Sequence, residues 1–231
     1  MASATPPTNI GVLLFPGFQL LDICGPLDAL NTLSKQVPLH LSILASTLDP
    51  VSTSHNQGGK TTQGGPAFPD SNFSQSIVPT HTFKDAPKDL EVLIIPGGFG
   101  TRDEANIAPI IEFTKSAWAE GNLKYILTVC TGSAILAKTG ILDGKRATSN
   151  KKAFEWVKSQ NPKVEWVAKA RWVADGKLWT SSGISAGIDL IYAWIAEVWS
   201  EEVADYIADS SEYERNRDAG DDRFAARWNA V

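Results

Sequence analysis

The sequence predicts an α/β fold in which a mainly parallel sheet is covered by helices on both faces. Short, continuously apolar runs, such as residues 9–15 and 125–129, have the composition of strands buried on both sides. Helical patterns, such as residues 109–120 and 185–199, alternate with these runs along the chain. Strands that alternate with helices form parallel sheets, so the order of the elements predicts the layers.

Turn residues separate these elements. Pro16-Gly17 ends the first strand, and Pro96-Gly97-Gly98 ends the third. Residues 49–81 are rich in Ser, Thr, Gly, Asn and Pro, which predicts a loop containing a short hairpin. In order, the predicted elements are strand 9–15, helix 22–33, strand 39–46, loop 49–81, strand 90–95, helix 109–120, strand 125–129, helix 134–139, strand 145–149, helix 152–159, strands 164–170 and 172–180, helix 185–199, and a charged tail at 209–231 that covers the domain or contacts a partner.

Length and composition limit the function classes. The 231 residues predict a short disordered tail at residues 1–8 and a single domain at residues 9–231. The net charge of −5 argues against nucleic acid or an anionic membrane as the main partner. No apolar run approaches the roughly 18 residues that a membrane helix requires. Two cysteines do not form a disulfide framework, so we expect a cytoplasmic protein.

Cys130 is the strongest candidate for a reactive residue. The apolar strand 125–129 ends at Cys130-Thr131-Gly132-Ser133, and a helix is predicted to follow. Such a strand–turn–helix junction projects a nucleophile above the sheet edge, as in α/β hydrolases. The helix N-terminus beside the thiol favours thiolate, so we expect an unusually acidic cysteine. The alternative is a buried structural cysteine.

Asp22 is bracketed by apolar residues at the predicted start of a helix, in the segment LLDICGP. We expect burial to raise the pKa of this carboxyl and to let it share a proton with a nearby thiol. The alternative is a helix N-cap, which an aspartate at this position also serves. Cys24, two residues later, is expected to be a small packing residue.

Gly97 and Gly98 close the third strand. Two glycines let the backbone approach a ligand and turn N–H groups inward, as an oxyanion hole requires, although an ordinary turn is the alternative. Thr131 is expected to add its backbone N–H to this hole and to give its hydroxyl to Asp22. The candidates for the apolar pocket wall are Phe18, Leu20, Phe99 and Trp172.

The three histidines, His40, His55 and His81, show neither catalytic nor metal-ligand spacing. The sequence therefore predicts no metal site, and it assigns no histidine as the partner of the cysteine. Asp22 is left as the expected partner of the thiol.

Four segments in a shared order resemble the DJ-1/PfpI (ThiJ) superfamily, from residue 10 to about residue 213. They are FPGFQLLDICGPLDAL, LEVLIIPGG, TVCTGSAILAKTGILDGKRAT and DGKLWTSSGISAGIDL. The combination of LLD-x-x-GP with CTGS is most similar to the isocyanide hydratase-like branch. This resemblance implies a flavodoxin-like three-layer sandwich that dimerises and uses no cofactor.

The resemblance also implies roles for the candidate residues. Cys130 would be the nucleophile and Asp22 its acid/base partner. Thr131 would orient Asp22, and the Gly97-Gly98 turn would help to bind a developing charge.

The chain departs from many relatives after the KRAT segment. Relatives often continue with Thr-His-Trp, whereas this chain reads Thr148-Ser149-Asn150-Lys151. Asn150 therefore stands where the His is often found, and an amide forms hydrogen bonds but is no base at neutral pH. This departure assigns the proton chemistry to Asp22.

The predicted function is a cysteine-dependent hydratase that converts a small electrophile, such as an isocyanide, to an N-formyl product. One alternative is a glyoxalase III-like or deglycase-like enzyme acting on 2-oxoaldehydes. Another is a redox sensor or chaperone in which Cys130 is oxidised reversibly. A PfpI-type peptidase is disfavoured because no His base is evident. We expect a small-molecule substrate and a homodimer, with no nucleic-acid or membrane partner.

Overall fold

The computed structural model describes residues 5–54 and 72–230. The strands are β1 (Asn9–Leu13), β2 (His40–Ala45), β3 (Val51–Ser52), β4 (Ser76–Ile77), β5 (His81–Thr82), β6 (Val92–Ile95), β7 (Tyr125–Thr128), β8 (Arg146–Ala147), β9 (Glu165–Trp166), β10 (Trp172–Asp175) and β11 (Leu178–Ser181). The helices are α1 (Leu20–Leu33), α2 (Glu104–Glu120), α3 (Gly132–Lys138), α4 (Phe154–Gln160), α5 (Ala186–Val198), α6 (Glu201–Ser210) and α7 (Arg223–Arg227).

Some sequence predictions lie outside the described residues. They are the first four residues of the expected tail, the middle of the 49–81 loop and His55. At the described ends of that loop, β3 and β4 pair antiparallel, as expected for the hairpin.

The central sheet has seven strands in the order β10-β11-β7-β6-β1-β2-β5. Neighbouring strands pair in parallel, except β10, which is antiparallel to β11. Every residue of β6 is buried, which accounts for the continuously apolar run of this inner strand. The predicted α/β fold with a mainly parallel sheet is confirmed.

The helices pack in two groups around this sheet. Helices α1, α5 and α6 contact one another, whereas α3 contacts both α2 and α4. The sheet between these groups completes a three-layer sandwich. Among the described residues, no helix has the length and apolar character needed to cross a membrane.

Several boundaries differ from the predicted ones. Helix α1 begins at Leu20, so Asp22 lies in its first turn. Helix α2 begins at Glu104 because the Asp103 side chain caps it by accepting the Ala105 N–H, 2.9 Å away. The strand expected at 164–170 is reduced to the two residues of β9.

The charged C-terminal tail covers the domain. Tyr213 donates its hydroxyl to Asp189 of α5 at 2.8 Å. Asp222 caps α7 and forms a fully buried ion pair with Lys151, at 3.5 Å. The tail is therefore anchored next to the turn that carries Asn150.

Parallel pairing places the carboxyl ends of β1, β6, β7 and β11 at one edge of the sheet. The segments that follow these strands carry most of the sequence-predicted site residues. This edge is where ligands bind in open α/β sheets.

Candidate active site

Cys130 follows β7 and forms the sharp turn before α3. Its φ of 57° lies in the left-handed region, which residues other than glycine rarely adopt. Its N–H donates to the Ser182 carbonyl at 3.1 Å, and its own carbonyl accepts the hydroxyls of Ser149 at 2.9 Å and Ser133 at 3.2 Å. These bonds hold the peptide in the strained conformation, as a nucleophile elbow requires.

Asp22 is completely buried in the first turn of α1. Its Oδ2 accepts the Gly97 N–H at 2.8 Å, and its Oδ1 has no hydrogen-bond partner among the described residues. Gln19 occupies the N-cap position. The expected burial is confirmed, and the N-cap alternative is wrong because the carboxylate bonds a different element.

Gly97 joins Asp22 to the elbow. A Cβ at this position would lie 2.4 Å from the Thr131 nitrogen and 3.0 Å from Cys130 Cβ. Only glycine permits this close approach. The N–H that holds the Asp22 carboxylate therefore belongs to a residue in direct contact with the nucleophile turn.

The two acids form a coupled pair. Burial raises the pKa of Asp22 to about 7, against the opposing effect of the Gly97 N–H. Burial, followed by the charge of Asp22, raises the pKa of Cys130 to about 12. Hydrogen bonds from the backbone of Ile184 and Thr131 and from the Asn150 side chain oppose this rise. Burial therefore makes both acids hold a proton more tightly than they do in water, and the two titrate as a pair.

The raised thiol pKa reverses the expectation of an acidic cysteine. The N-terminus of α3 does adjoin Cys130, but this helix has only seven residues. Its dipole and the hydrogen bonds to the sulfur do not outweigh the loss of water around a side chain that is 5 % exposed.

The predicted oxyanion hole at Gly97 and Gly98 is also wrong. The Gly97 N–H is bound to Asp22, and the Gly98 N–H donates to Thr131 Oγ1 at 3.0 Å. The backbone donors that reach the sulfur belong instead to Ile184 and Thr131. The Thr131 N–H was expected to join that hole, whereas in the structure it bonds Cys130.

The Thr131 hydroxyl does not orient Asp22. It accepts from the Gly98 N–H and from the Thr101 hydroxyl, the latter at 3.2 Å. The Thr131 hydroxyl is therefore bonded within the segment that follows β6, and the Gly97 N–H, not Thr131, holds Asp22.

Asn150, which stands where relatives often have a His, forms a side-chain hydrogen bond with Cys130. Its Oδ1 accepts the Ala153 N–H at 3.1 Å. Because the oxygen is occupied, the amide nitrogen is the donor that faces Cys130.

These residues surround a pocket of about 230 Å³, called here the Cys130 pocket. Five of its lining residues were candidates from the sequence: Gly98, Phe99, Cys130, Thr131 and Asn150. The others are Gln19, Arg102, Lys152, Ala153 and Ile184. Of the four apolar candidates for the wall, only Phe99 lines this pocket.

Phe18, Leu20 and Trp172 do not line the pocket. Phe18 and Trp172 are buried in the hydrophobic core, and Leu20 packs against it. Their apolar character reflects core packing, which a short sequence window does not distinguish from a pocket wall.

A comparison with known families gives a match to the DJ-1/PfpI family over residues 8–197. The chain belongs to the DJ-1/PfpI family. Isonitrile (isocyanide) hydratase of Pseudomonas putida is 33% identical over 206 residues, 89% of this chain and 78% of the relative. A deglycase of Pyrococcus abyssi is 32% identical over 113 residues, 48% of this chain and 61% of the relative. The crystal structure of a ThiJ/PfpI family protein from Pseudomonas syringae superposes with a TM-score of 0.71 at 28% identity, covering 98% of this chain and 87% of that one.

Two residues of this DJ-1/PfpI site were missed by the sequence analysis. Ile184 follows β11 with a φ of 45°, an outlier for a β-branched residue. Arg102 ends a single 3₁₀ turn after Gly98, with its guanidinium 4.3 Å from the centre of the Trp156 ring. Both residues follow predicted strands, Ile184 in the segment SSGIS and Arg102 in the segment PGGFGTR. Because loops at the carboxyl ends of strands often carry functional residues, these two segments could have indicated them.

The remaining candidates lie away from the Cys130 pocket. His40 begins β2 and His81 begins β5, and neither lines the pocket. Across residues 5–54 and 72–230, no cluster of His, Cys, Asp and Glu is suited to a metal ion. Cys24 is exposed on α1, so the expectation of a packing role for it is wrong.

Proposed function

We propose that this DJ-1/PfpI protein is a cysteine-dependent hydratase that converts an isocyanide and water to an N-formamide. The observation that carries the proposal is the buried Asp22 carboxyl, which is held by the N–H of Gly97 next to the Cys130 turn and has a pKa raised to about 7. The 33% sequence identity to isonitrile hydratase, over 89% of this chain, supports an isocyanide as the substrate. No histidine of the described residues lines the pocket, so Asp22 is the acid/base group.

In the first half of the reaction, the thiol adds to the isocyanide carbon. Ionised Asp22 takes the thiol proton while a bond forms between sulfur and that carbon. Asp22 then gives the proton to the same carbon, which yields a thioimidate, R–N=CH–S–Cys130. Protonation of Asp22 removes its negative charge, and with it one of the causes of the high Cys130 pKa.

In the second half, water releases the product. A water oxygen bonds to the thioimidate carbon, Asp22 accepts one water proton, and the substrate nitrogen receives it. The carbon–sulfur bond then breaks, and the proton of the new hydroxyl passes to sulfur. The products are R–NH–CHO and the free thiol. One carboxyl thus carries the proton to carbon in the first half and the proton to nitrogen in the second.

The groups around the sulfur fit this cycle. Hydrogen bonds from the Ile184 and Thr131 backbone and from the Asn150 amide favour negative charge on sulfur. They stabilise the thiolate that forms during attack and again when the carbon–sulfur bond breaks.

A deglycase-like or glyoxalase-like reaction is the second candidate, because similarity to a deglycase extends over about half of the chain. In a 2-oxoaldehyde the acid/base group would move a proton between neighbouring carbons after thiol addition. A redox sensor is disfavoured, because both relatives described above are named as enzymes, a hydratase and a deglycase.

The first test compares the two cysteines. Wild type, Cys130→Ala and Cys24→Ala are incubated with cyclohexyl isocyanide or methylglyoxal, and products are followed by proton NMR. We expect formamide from wild type and Cys24→Ala, and none above background from Cys130→Ala. Cys24→Ala is the matched control because it removes a thiol that does not line the pocket.

Two results would reject the hydratase. One is methylglyoxal conversion without isocyanide hydration, which favours the second candidate. The other is formamide production that survives in Cys130→Ala. Homodimerisation is proposed from the family resemblance and the apolar helices, and a cytoplasmic location from the presence of only two cysteines. Light scattering at the 24.9 kDa monomer mass would exclude the dimer.

A further inference from the structure

The Cys130 pocket carries positive charge on its wall. Arg102 and Lys152 both line it, and its lining residues in the described part of the chain include no carboxylate. Asp22 is completely buried and is not one of the lining residues. This local charge contrasts with the net charge of −5 for the whole chain.

Arg102 is held by aromatic rings and not by a counter-ion. Its guanidinium carbon lies 4.3 Å from the Trp156 ring centre and 5.8 Å from that of Phe99. Among the described residues, no carboxylate forms an ion pair with Arg102, and its buried Nε has no hydrogen-bond acceptor.

Half-burial without a counter-ion is unfavourable for a guanidinium. Loss of water around Arg102 disfavours its charged form and lowers its pKa. A bound anion would replace the lost water and accept hydrogen bonds from the guanidinium. Stacking on Trp156 keeps the planar group oriented before the anion arrives.

We propose that the Cys130 pocket accepts an electrophile that carries a carboxylate, with Arg102 as the main carboxylate partner and Lys152 as a second cation. A guanidinium presents paired N–H donors that match the two oxygens of a carboxylate. Lys152 is exposed, so we expect it to contribute less. The electrophilic group itself rests on the proposed function, and the 230 Å³ volume limits the molecule to a small one.

The first experiment uses alkylation, which does not depend on hydratase activity. Iodoacetate and iodoacetamide both form a carbon–sulfur bond with Cys130 and release iodide, but only iodoacetate carries a carboxylate. Rates are measured by intact mass in a Cys24→Ser background, which removes the exposed thiol. The ratio of the iodoacetate to the iodoacetamide rate is expected to fall roughly 10- to 100-fold in Arg102→Gln.

Three variants separate this role from general effects. Arg146→Gln removes the same charge from an exposed site outside the pocket and should leave the ratio unchanged. Arg102→Lys keeps the charge but loses the paired donors, so it should restore the ratio partly. Lys152→Gln should lower the ratio less than Arg102→Gln does. Circular dichroism confirms that each variant is folded.

The second experiment measures binding without any reaction. N-formylglycine, the formamide expected from isocyanoacetate, is titrated into Cys130→Ala and compared by NMR with its neutral methyl ester. We expect the acid to bind at least about tenfold more tightly than the ester, and this preference to vanish in Cys130→Ala/Arg102→Gln.

The inference is wrong if Cys130→Ala binds N-formylglycine no more tightly than the methyl ester, or if it binds neither. This holds whatever the alkylation rates show. It is also wrong if both preferences persist in the Arg102→Gln variants. A carboxylate preference that depends on Arg102, in a protein that hydrates no isocyanide, would reject the proposed function and leave the anion site standing.

Discussion

Two of the buried carboxylates, Asp189 and Asp22, differ in their partners. Asp189 on α5 is 1% exposed and accepts from Arg171 Nε at 2.5 Å, the Tyr213 hydroxyl at 2.8 Å and the Asn216 N–H at 2.9 Å. Asp22 on α1 is 0% exposed and accepts only from Gly97, with one oxygen left without a partner in the described residues.

The difference shows that burial alone does not define the role of a carboxylate. Three donors, one of them cationic, hold Asp189 and connect α5 to the C-terminal tail. A single donor does not offset the burial of Asp22, so this carboxyl binds its proton up to a pKa of about 7. Such a group can exchange a proton during a reaction near neutral pH.

The largest expected effect is on catalysis by Asp22→Asn. The substitution keeps the size of the side chain and removes the transferable proton. We expect kcat/KM for the accepted substrate to fall by about 10²- to 10⁴-fold. Steady-state assays with Asp189→Asn as the matched control measure this effect, and comparable losses in the two variants would end the distinction between these carboxylates.

Asp189→Asn is expected to act on stability. The neutral amide leaves the Arg171 guanidinium, which is only 14% exposed, without its counter-ion. Removing one partner of a buried pair costs about 3–5 kcal/mol in free energy of unfolding. Urea denaturation measures the loss. The folded fraction should keep kcat/KM within a few fold, since the charge that acts on the Cys130 thiol is that of Asp22 and not that of Asp189.

Asp22→Asn is expected to stabilise the protein at alkaline pH. The pKa of Asp22 is raised to about 7 in the folded protein, from about 4 in the unfolded chain. Protonated Asp22 therefore stabilises the wild-type fold fully below about pH 4, and this contribution is lost as the pH rises through about 7. At about pH 8 the variant should exceed wild type by on the order of 2–4 kcal/mol, and this gain should shrink toward pH 4.

Urea denaturation across this pH range tests the stability prediction. Asp28→Asn is the matched control, because Asp28 is an exposed carboxylate on the same helix and its removal should produce no such trend. A gain in Asp22→Asn that grows as the pH falls would mean that the folded protein prefers ionised Asp22.

Local patterns were sufficient to predict the layers and the elbow. Continuous apolar runs identified the inner strands, and an abrupt end at Cys130 identified the nucleophile turn. The apolar neighbours of Asp22 indicated that it would be buried. These features depend on residues close together in sequence, which is where hydrophobic periodicity carries information.

Features that depend on distant segments could not be predicted. The Gly97 N–H was assigned to an oxyanion hole, but it bonds Asp22, 75 residues away in the chain. The thiol pKa was expected to fall because the helix end is visible in the sequence, whereas the burial that raises it is not. Likewise, nothing in the sequence around Arg102 shows that Trp156 lies beside its side chain.

The smallest expected effect belongs to Asn150→Ala, which tests whether Asp22 works without a second proton-transfer group. The Asn150 amide donates to Cys130 and has no titratable proton near neutral pH. Losing one such hydrogen bond costs about 0.5–1.5 kcal/mol, or roughly tenfold in kcat/KM. Asn122→Ala, at an exposed site away from the pocket, should leave kcat/KM unchanged. If Asn150→Ala abolishes turnover while Asp22→Asn stays near normal, the roles are inverted, and Asp22 is merely a buried carboxyl held by Gly97.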